Sequence, residues 1–301
     1  MNKNILILGK GYIGTYLASY LKSNNNNVVH ISKSDLDYTN PANFELLLKK
    51  HNETYHGRID WVINCSAYTG NPSIDSCEDH KEDCFNYNVL VPLHLTKVCN
   101  NINIPIIHFS TGCLYEGYEK IFTEQDVPNL GIDCYGSSFY SKTKDCFERL
   151  SSSMQRHIFR IRLPFNGVYE PKNYLFKLIN YDNITSNQNS ITCVDDLLVF
   201  VDKFTDISDK LPQTGIYNVV NTGSVDNFTV LDMLKERGIS NKKWKFISEL
   251  ELNLKAKRSN CIISTEKIKL LNLELPSVTI SLKKSIDLIY KQWTKLNKGV
   301  K

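Results

Sequence analysis

The chain of 301 residues reads as an α/β protein, a doubly wound parallel sheet followed by a smaller C-terminal α/β lobe. Apolar runs of strand length alternate with stretches of helical period from Asn4 to about Ser110. A glycine-rich turn stands at the first strand-to-helix junction, and the alternation breaks after Pro164 into loops, shorter helices and small strands.

In order, a strand at 4–8 leads into an amphipathic helix at 12–23 and a strand at 28–32, with Asn24–Asn27 as the polar turn between them. A helix at 41–51, a strand at 60–66, a helix at 79–101 and a buried strand at 104–110 continue the series. Helix 138–153 and strand 157–163 complete the first unit, residues 1–163. Strands at 216–220 and 244–247 and a terminal helix at 279–296 belong to a second unit, 164–301, some of whose segments return to the first. Parallel sheets bind ligands beyond the carboxyl ends of their strands, so the segments after Leu8, Ser32, Ser66 and Ser110 are where chemistry is expected.

The composition narrows the function. Hydrophobic residues make up 42% and charged residues 23%, ordinary globular usage. Thirty-six basic against 32 acidic residues leave +4, too mild for a nucleic-acid surface, although 241–258 is locally basic. No apolar run approaches the roughly 20 residues of a membrane span, and the N-terminus lacks the pattern of a secretory signal. Nine cysteines, without CxxC or metal-ligand spacing, read as the reduced thiols of a cytoplasmic protein that holds no metal.

Gly9-Lys-Gly11-Tyr-Ile-Gly14 follows the first strand and opens the first helix. Gly9 permits the tight turn, Gly11 lets a pyrophosphate approach the backbone and Gly14 lets the helix pack closely, which makes 1–163 a dinucleotide-binding, Rossmann-type unit. The second strand ends in His30-Ile-Ser-Lys-Ser34, with no acid for a ribose 2′-OH. Lys33 with Ser32 and Ser34 suits a 2′-phosphate instead, which favours NADPH and leaves NADH as the alternative. Asp37 beyond it reads as a contact on the adenine side, or Asp35-Leu-Asp37 reads as a turn and cap sequence.

Tyr140 and Lys144 form the chain's only Tyr-x-x-x-Lys. Their i, i+4 spacing puts both on one helix face, where the ammonium can lower the phenol's pKa and Tyr140 can pass a proton to an alkoxide. A hydroxyl from Ser110 or Thr111 completes an acid and carbonyl-binding trio.

Together with Asn64-Cys-Ser-Ala67 and Asn88, these pieces resemble the extended short-chain dehydrogenase/reductases. The resemblance implies that Tyr140 is the acid, Lys144 holds the nicotinamide ribose, and Thr111 binds the substrate carbonyl. It also sets Tyr12, Ile13, Ser66 and Ala67 beside the cofactor with the glycines.

Longer stretches, Phe109-Ser-Thr-Gly-Cys-Leu114, Gly136-Ser-Ser-Phe-Tyr-Ser-Lys-Thr-Lys144, Arg160-Ile-Arg-Leu-Pro164, Pro171-Lys-Asn-Tyr-Leu-Phe-Lys177 and Arg258-Ser-Asn260, are similar to the bifunctional 3,5-epimerase/4-reductases that make UDP-L-rhamnose. The likeness is to the reductase half of plant rhamnose synthases and their large-virus counterparts above all, and to the dTDP-4-dehydrorhamnose reductases at more distance. It implies NADPH-dependent conversion of UDP-4-keto-6-deoxy-D-glucose, with Cys113 as the base and Lys177 as the acid of epimerisation. Thr69, Asn71 and Asn173 are then placed around the sugar, and Arg258 can neutralise the diphosphate.

The resemblance further implies a homodimer through helices 79–101 and 138–153, and a cytoplasmic location, the host's if the protein is viral. With one Gly-rich turn in the sequence, the 4-keto substrate is expected from a separate UDP-glucose 4,6-dehydratase. Two other readings stand beside this one: a reductase alone, acting on dTDP- or UDP-4-dehydrorhamnose, and a non-catalytic NADP-binding regulatory subunit.

Overall fold

Ile5, Leu6, Ile7 and Leu8 are all fully buried, because β1 (Asn4–Leu8) is covered on both faces. Successive side chains point to opposite faces, so Ile5 and Ile7 enter one core and Leu6 and Leu8 another. The structure, a computed structural model, describes residues 2–53, 57–71, 73–207, 210–252 and 254–298. After β1 come α1 (Tyr12–Ser23), β2 (Asn27–Ile31), α2 (Pro41–Glu53) and β3 (Trp61–Asn64). Then follow α3 (Lys81–Phe85), α4 (Val91–Asn101), β4 (Ile106–Thr111), β5 (Gly117–Phe122), α5 (Phe139–Leu150) and β6 (His157–Ile161). The main sheet is all parallel, in the order β2-β1-β3-β4-β6-β8, with β8 at Gly215–Asn218.

The doubly wound α/β class is what the structure contains, and most sheet strands lie within a residue or two of their expected bounds. Helix 79–101 differs. It comprises α3, a π-helical turn over Asn86–Leu90, and α4, preceded by a 3₁₀ turn at Ile74–Glu78. Pro92 has no N–H to give the carbonyl four residues back, Asn88, and the wider turn takes up the mismatch. It leaves Asn88 buried, with its side chain bonded to both backbone groups of Tyr68.

Beyond Pro164 the elements are α6 (Tyr174–Asn180), β7 (Asn183–Ile184), α7 (Val194–Asp206), β8, α8 (Asn227–Glu236), β9 (Lys245–Phe246), β10 (Cys261–Ile263), α9 (Glu266–Leu270) and α10 (Val278–Lys298). Three of them return to the large sheet: β8, α7 and α9, whose Ile268 joins its core. β8 pairs with β6, and α7 lays Val194, Leu197, Phe200 and Phe204 against Ile5, Ile7 and Phe159. A separate core gathers Leu175 and Leu178 of α6, Val230 and Leu234 of α8, Trp244, and Leu282 and Ile286 of α10. The sequence reading missed the parallel pair of β5 with β10, which is short and half-exposed and so carries little hydrophobic period. No helix among the described residues is long and apolar enough to cross a membrane.

Candidate active site

The strand order reverses at β1, which has β2 on one side and β3 on the other, and a crevice opens there beyond the carboxyl ends of the strands. Gly9, at φ +100°, turns the chain so tightly that a Cβ would stand 2.9 Å from the Ser66 backbone nitrogen. A Cβ on Gly14 would collide with the Gly9 carbonyl, whereas one on Gly11 meets nothing, since Gly11 borders a cavity of about 340 Å³. Ser32, Ser66, Ala67 and Tyr87 line the same cavity. With no acid in the first turn of α1, its free amides face that space, a cradle suited to a pyrophosphate. Ile13 packs on the core below. Tyr12 turns away, its hydroxyl donating to Asn166 Oδ1 at 2.9 Å.

The rim departs from the sequence reading in one respect. A carboxylate does reach the end of β2: Asp35 folds back to accept from the Ser32 N–H at 2.7 Å and the Ser32 hydroxyl at 2.6 Å, and pairs with Lys10 at 2.8 Å. The Lys10 bond and those from Ser32 hold its carboxyl well below the usual range. Asp35 is three residues beyond Ser32, and only the turn brings it back. Lys33 points to Tyr87, donating to its hydroxyl at 2.7 Å.

The second constellation lies where β4 ends against α5. Ser138 caps α5 by accepting from the Ser141 N–H, and the Ser141 hydroxyl donates to the Cys113 carbonyl at 2.8 Å, so helix and turn are locked together. Thr111 Oγ1 accepts from the Cys113 N–H at 3.0 Å. Of the two candidate hydroxyls, Thr111 stands close enough to the Tyr140 phenol to favour its ionised form, while Ser110 is spent on Glu148 at 2.6 Å. Lys144 donates to the Phe109 carbonyl at 3.2 Å, with its ammonium 5.9 Å from the Tyr140 ring centre.

Tyr140 and Lys144 are both buried, and burial sets their acidities. Burial pushes the Lys144 ammonium down to about 8. It also pushes the Tyr140 phenol up, aided by the Cys113, Cys77 and Cys84 sulfurs, with the Thr111 hydrogen bond pulling the other way. The expected lowering of the phenol by Lys144 is not among the effects that set its acidity; burial dominates. The phenol stays protonated, as a proton donor must be.

On the side expected to hold the sugar, Lys177 of α6 is half-buried, its ammonium pushed down by burial and by the like charges of Lys172 and Arg258. Arg258 pairs with Asp75 at 2.9 Å. Thr69 accepts from Lys172, and Asn71 is exposed on the same loop. Asn173 sits differently from the other expected sugar contacts. It is fully buried, caps α6 at Leu175, and spends its amide N–H groups on Asn166 and Val168, so it shapes the wall that carries Lys177.

Sequence reasoning quoted Arg162 only inside a motif, yet it ties the site together. Nearly fully buried, it donates to Gly112 O at 2.8 Å and to the Ser259 hydroxyl at 2.7 Å and carbonyl at 3.1 Å. It thereby joins the Thr111–Cys113 turn to the segment bearing Arg258. Its i, i+2 spacing from Arg160 was the available signal, because both then lie on one strand face. Lys10, Asp35, Asp75 and Lys172 carried no such signal.

The sequence profile of the RmlD substrate binding domain family matches residues 3–290. The chain belongs to this family. A bifunctional dTDP-4-dehydrorhamnose 3,5-epimerase/dTDP-4-dehydrorhamnose reductase of Arabidopsis thaliana is 31% identical over 236 residues, 75% of each chain. A trifunctional UDP-glucose 4,6-dehydratase/3,5-epimerase/reductase of the same plant is 31% identical over 73% of this chain, which spans 33% of that longer protein. Among solved structures, a UDP-rhamnose synthase of Acanthamoeba polyphaga mimivirus is similar at a TM-score of 0.84 and 27% identity, covering 96% of this chain and 100% of that one.

Proposed function

We propose that the protein carries out NADPH-dependent 3,5-epimerisation and 4-keto reduction of UDP-4-keto-6-deoxy-D-glucose, giving UDP-L-rhamnose. The observation that carries this reading is that Cys113 and the Thr111–Tyr140 pair share one turn-and-helix junction, in a family member similar over nearly its whole length to a UDP-rhamnose synthase.

Gly9, Gly11 and Gly14 with the α1 N-terminus hold the cofactor's pyrophosphate, Ser66 and Ala67 flank it, and Ser32 and Lys33 stand at the 2′-phosphate end. Bound NADPH supplies the hydride that reaches C4. Thr111 and Tyr140 donate hydrogen bonds to the C4 carbonyl, which acidifies the protons at C3 and C5. Cys113, as thiolate, removes the proton at each carbon in turn and gives it up to solvent between the two. The Lys177 ammonium, made more acidic by burial and by Lys172 and Arg258, returns one to the opposite face. Tyr140 gives its phenolic proton to the C4 oxygen as reduction completes. Lys144 orients the ribose, and Arg258 holds the diphosphate beside Thr69 and Asn71.

Turnover in deuterated buffer tests the proposal. The product is expected to be rhamnose labelled at C3 and C5, the labelling lost in Cys113→Ala; reduced sugar without label would leave a reductase alone. Tyr140→Phe is expected to lower reduction by about 10²–10⁴-fold. A Tyr140→Phe protein with full biological activity would instead favour a regulatory role.

The proposal divides the chain into a cofactor unit, 1–163, and a mainly substrate-binding lobe, 164–301. It places the protein in the cytoplasm, the host's if viral, and draws the 4-keto sugar from a separate 4,6-dehydratase. Exposed Phe85 and Leu90 near α4 and Leu150 at the end of α5 support a homodimer through these helices, and a monomer mass by light scattering would overturn it.

A further inference from the structure

We propose that Lys172 is a second diphosphate-binding cation, which acts with Arg258 and takes up the substrate's phosphate oxygens in place of its present partners. The inference rests on the nucleotide-sugar reading and extends it to a residue outside the site deduced from sequence.

Lys172 ends the loop before α6, and its ammonium crosses to the loop after β3, donating to Gly70 O at 3.1 Å and Thr69 Oγ1 at 3.3 Å. The backbone there is built to receive it. Gly70 sits at φ +72°, and a Cβ would collide with the Ser73 carbonyl, so only glycine presents that carbonyl in this way. Lys172 is exposed, yet its ammonium is tied to these two oxygens. Both acceptors are neutral, so they bind an ammonium without discharging it.

The charge balance gives the ligand class. Among the described residues neither Lys172 nor Lys177 has an ion-pair partner, and Arg258 has one carboxylate, Asp75. Three cations therefore converge on one acid, and Lys177 feels both of the others as repulsion. The second Asp75 oxygen is buried without a partner, an acceptor open to a hydroxyl or N–H of the same ligand. A doubly charged anion bearing donor groups satisfies all of these at once, and the diphosphate of a nucleotide sugar is such a group. Binding exchanges a carbonyl and a hydroxyl for phosphate oxygens at Lys172, and the Thr69–Gly70 loop is released toward the sugar.

Isothermal titration of the full-length protein with UDP, using NADP⁺ as the control ligand, tests the assignment. Lys172→Met is expected to raise the Kd for UDP about tenfold or more, Lys172→Arg to restore most of it, and the Kd for NADP⁺ and the Tm to hold. Equal UDP affinity in wild type and Lys172→Met would show a structural bridge only and overturn the proposal, as would a parallel loss of NADP⁺ binding. A wild-type protein that binds NADP⁺ but no UDP would overturn the nucleotide-sugar reading itself, and this inference with it.

Discussion

The glycine cradle and the cluster of cations at Lys172, Lys177 and Arg258 are both suited to anions, yet they are built in opposite ways. The cradle comes from six consecutive residues, Gly9–Gly14, whose conformations follow from the strand before them and the helix after them. It attracts charge with backbone amides. The cluster joins groups from three segments, with sequence separations of 102 from Lys172 to Gly70 and 183 from Arg258 to Asp75. A site made of backbone is set by local folding and at Gly9 and Gly14 tolerates no added atom, whereas one made of side chains exists only once distant segments have packed.

The largest expected effect breaks the local member of the pair. Gly14→Ala sets a methyl group against the Gly9 carbonyl, so NADPH affinity, followed by fluorescence, is expected to fall at least about 100-fold with a stability loss of about 1–3 kcal/mol. Near-normal NADPH binding would show that the cradle is less tightly determined than its geometry states. The assembled member is broken through the residue that ties it together. Arg162→Met removes the guanidinium's bonds to Gly112, Ser190, Asn189 and Ser259, leaves the Ser190 and Ser259 carbonyls without that donor, and is expected to cost about 3 kcal/mol in denaturant unfolding, with weaker UDP binding. Unchanged UDP binding in the folded variant would mean that Arg258 is positioned without it.

Lys144 sharpens the contrast between function and stability. Its folded pKa, about 8, lies below the ordinary value of 10.5, so the native state holds fewer protons than the unfolded state between those two pH values. The penalty of burying the ammonium is therefore fully present below pH 8 and is relieved as pH rises toward 10.5. In the cofactor-free protein, Lys144→Met is expected to abolish turnover yet raise stability by about 1–3 kcal/mol at pH 7, with a gain that shrinks toward pH 10. A gain independent of pH would point to packing rather than charge. The smallest effect lies at the rim: Asp35→Asn frees Lys10, and the NADPH-to-NADH affinity ratio is expected to rise about two- to fivefold. No change would mean that Lys10 does not reach the 2′-phosphate end.

The same division explains what could be read in advance. The strand at 4–8 and the helix at 12–23 were legible to the residue, because continuous burial and a 3.6-residue period leave direct marks. Tyr140 and Lys144 were legible because i, i+4 spacing on a helix fixes their side. The π-helical turn at Asn86–Leu90 was not, since Pro92 inside a helical pattern marks strain without saying how it is resolved. Between Ser110 and Thr111 only the family resemblance named Thr111, not the local pattern: adjacent strand residues point to opposite faces, and which face meets α5 is a matter of packing.

By itself, then, the order of residues determined the layered parallel sheet, the glycine cradle at its switch point and the Tyr140–Lys144 helix face, all of which follow from periodicity and from the conformational freedom of glycine. The tertiary structure alone decided that Asp35 returns to Ser32, that Asn173 braces a wall, that Arg162 bonds the catalytic turn to the Arg258 segment, and that Lys172, Lys177 and Arg258 converge. Such contacts depend on how loops close over a finished sheet, and no short-range pattern in the chain records that closure.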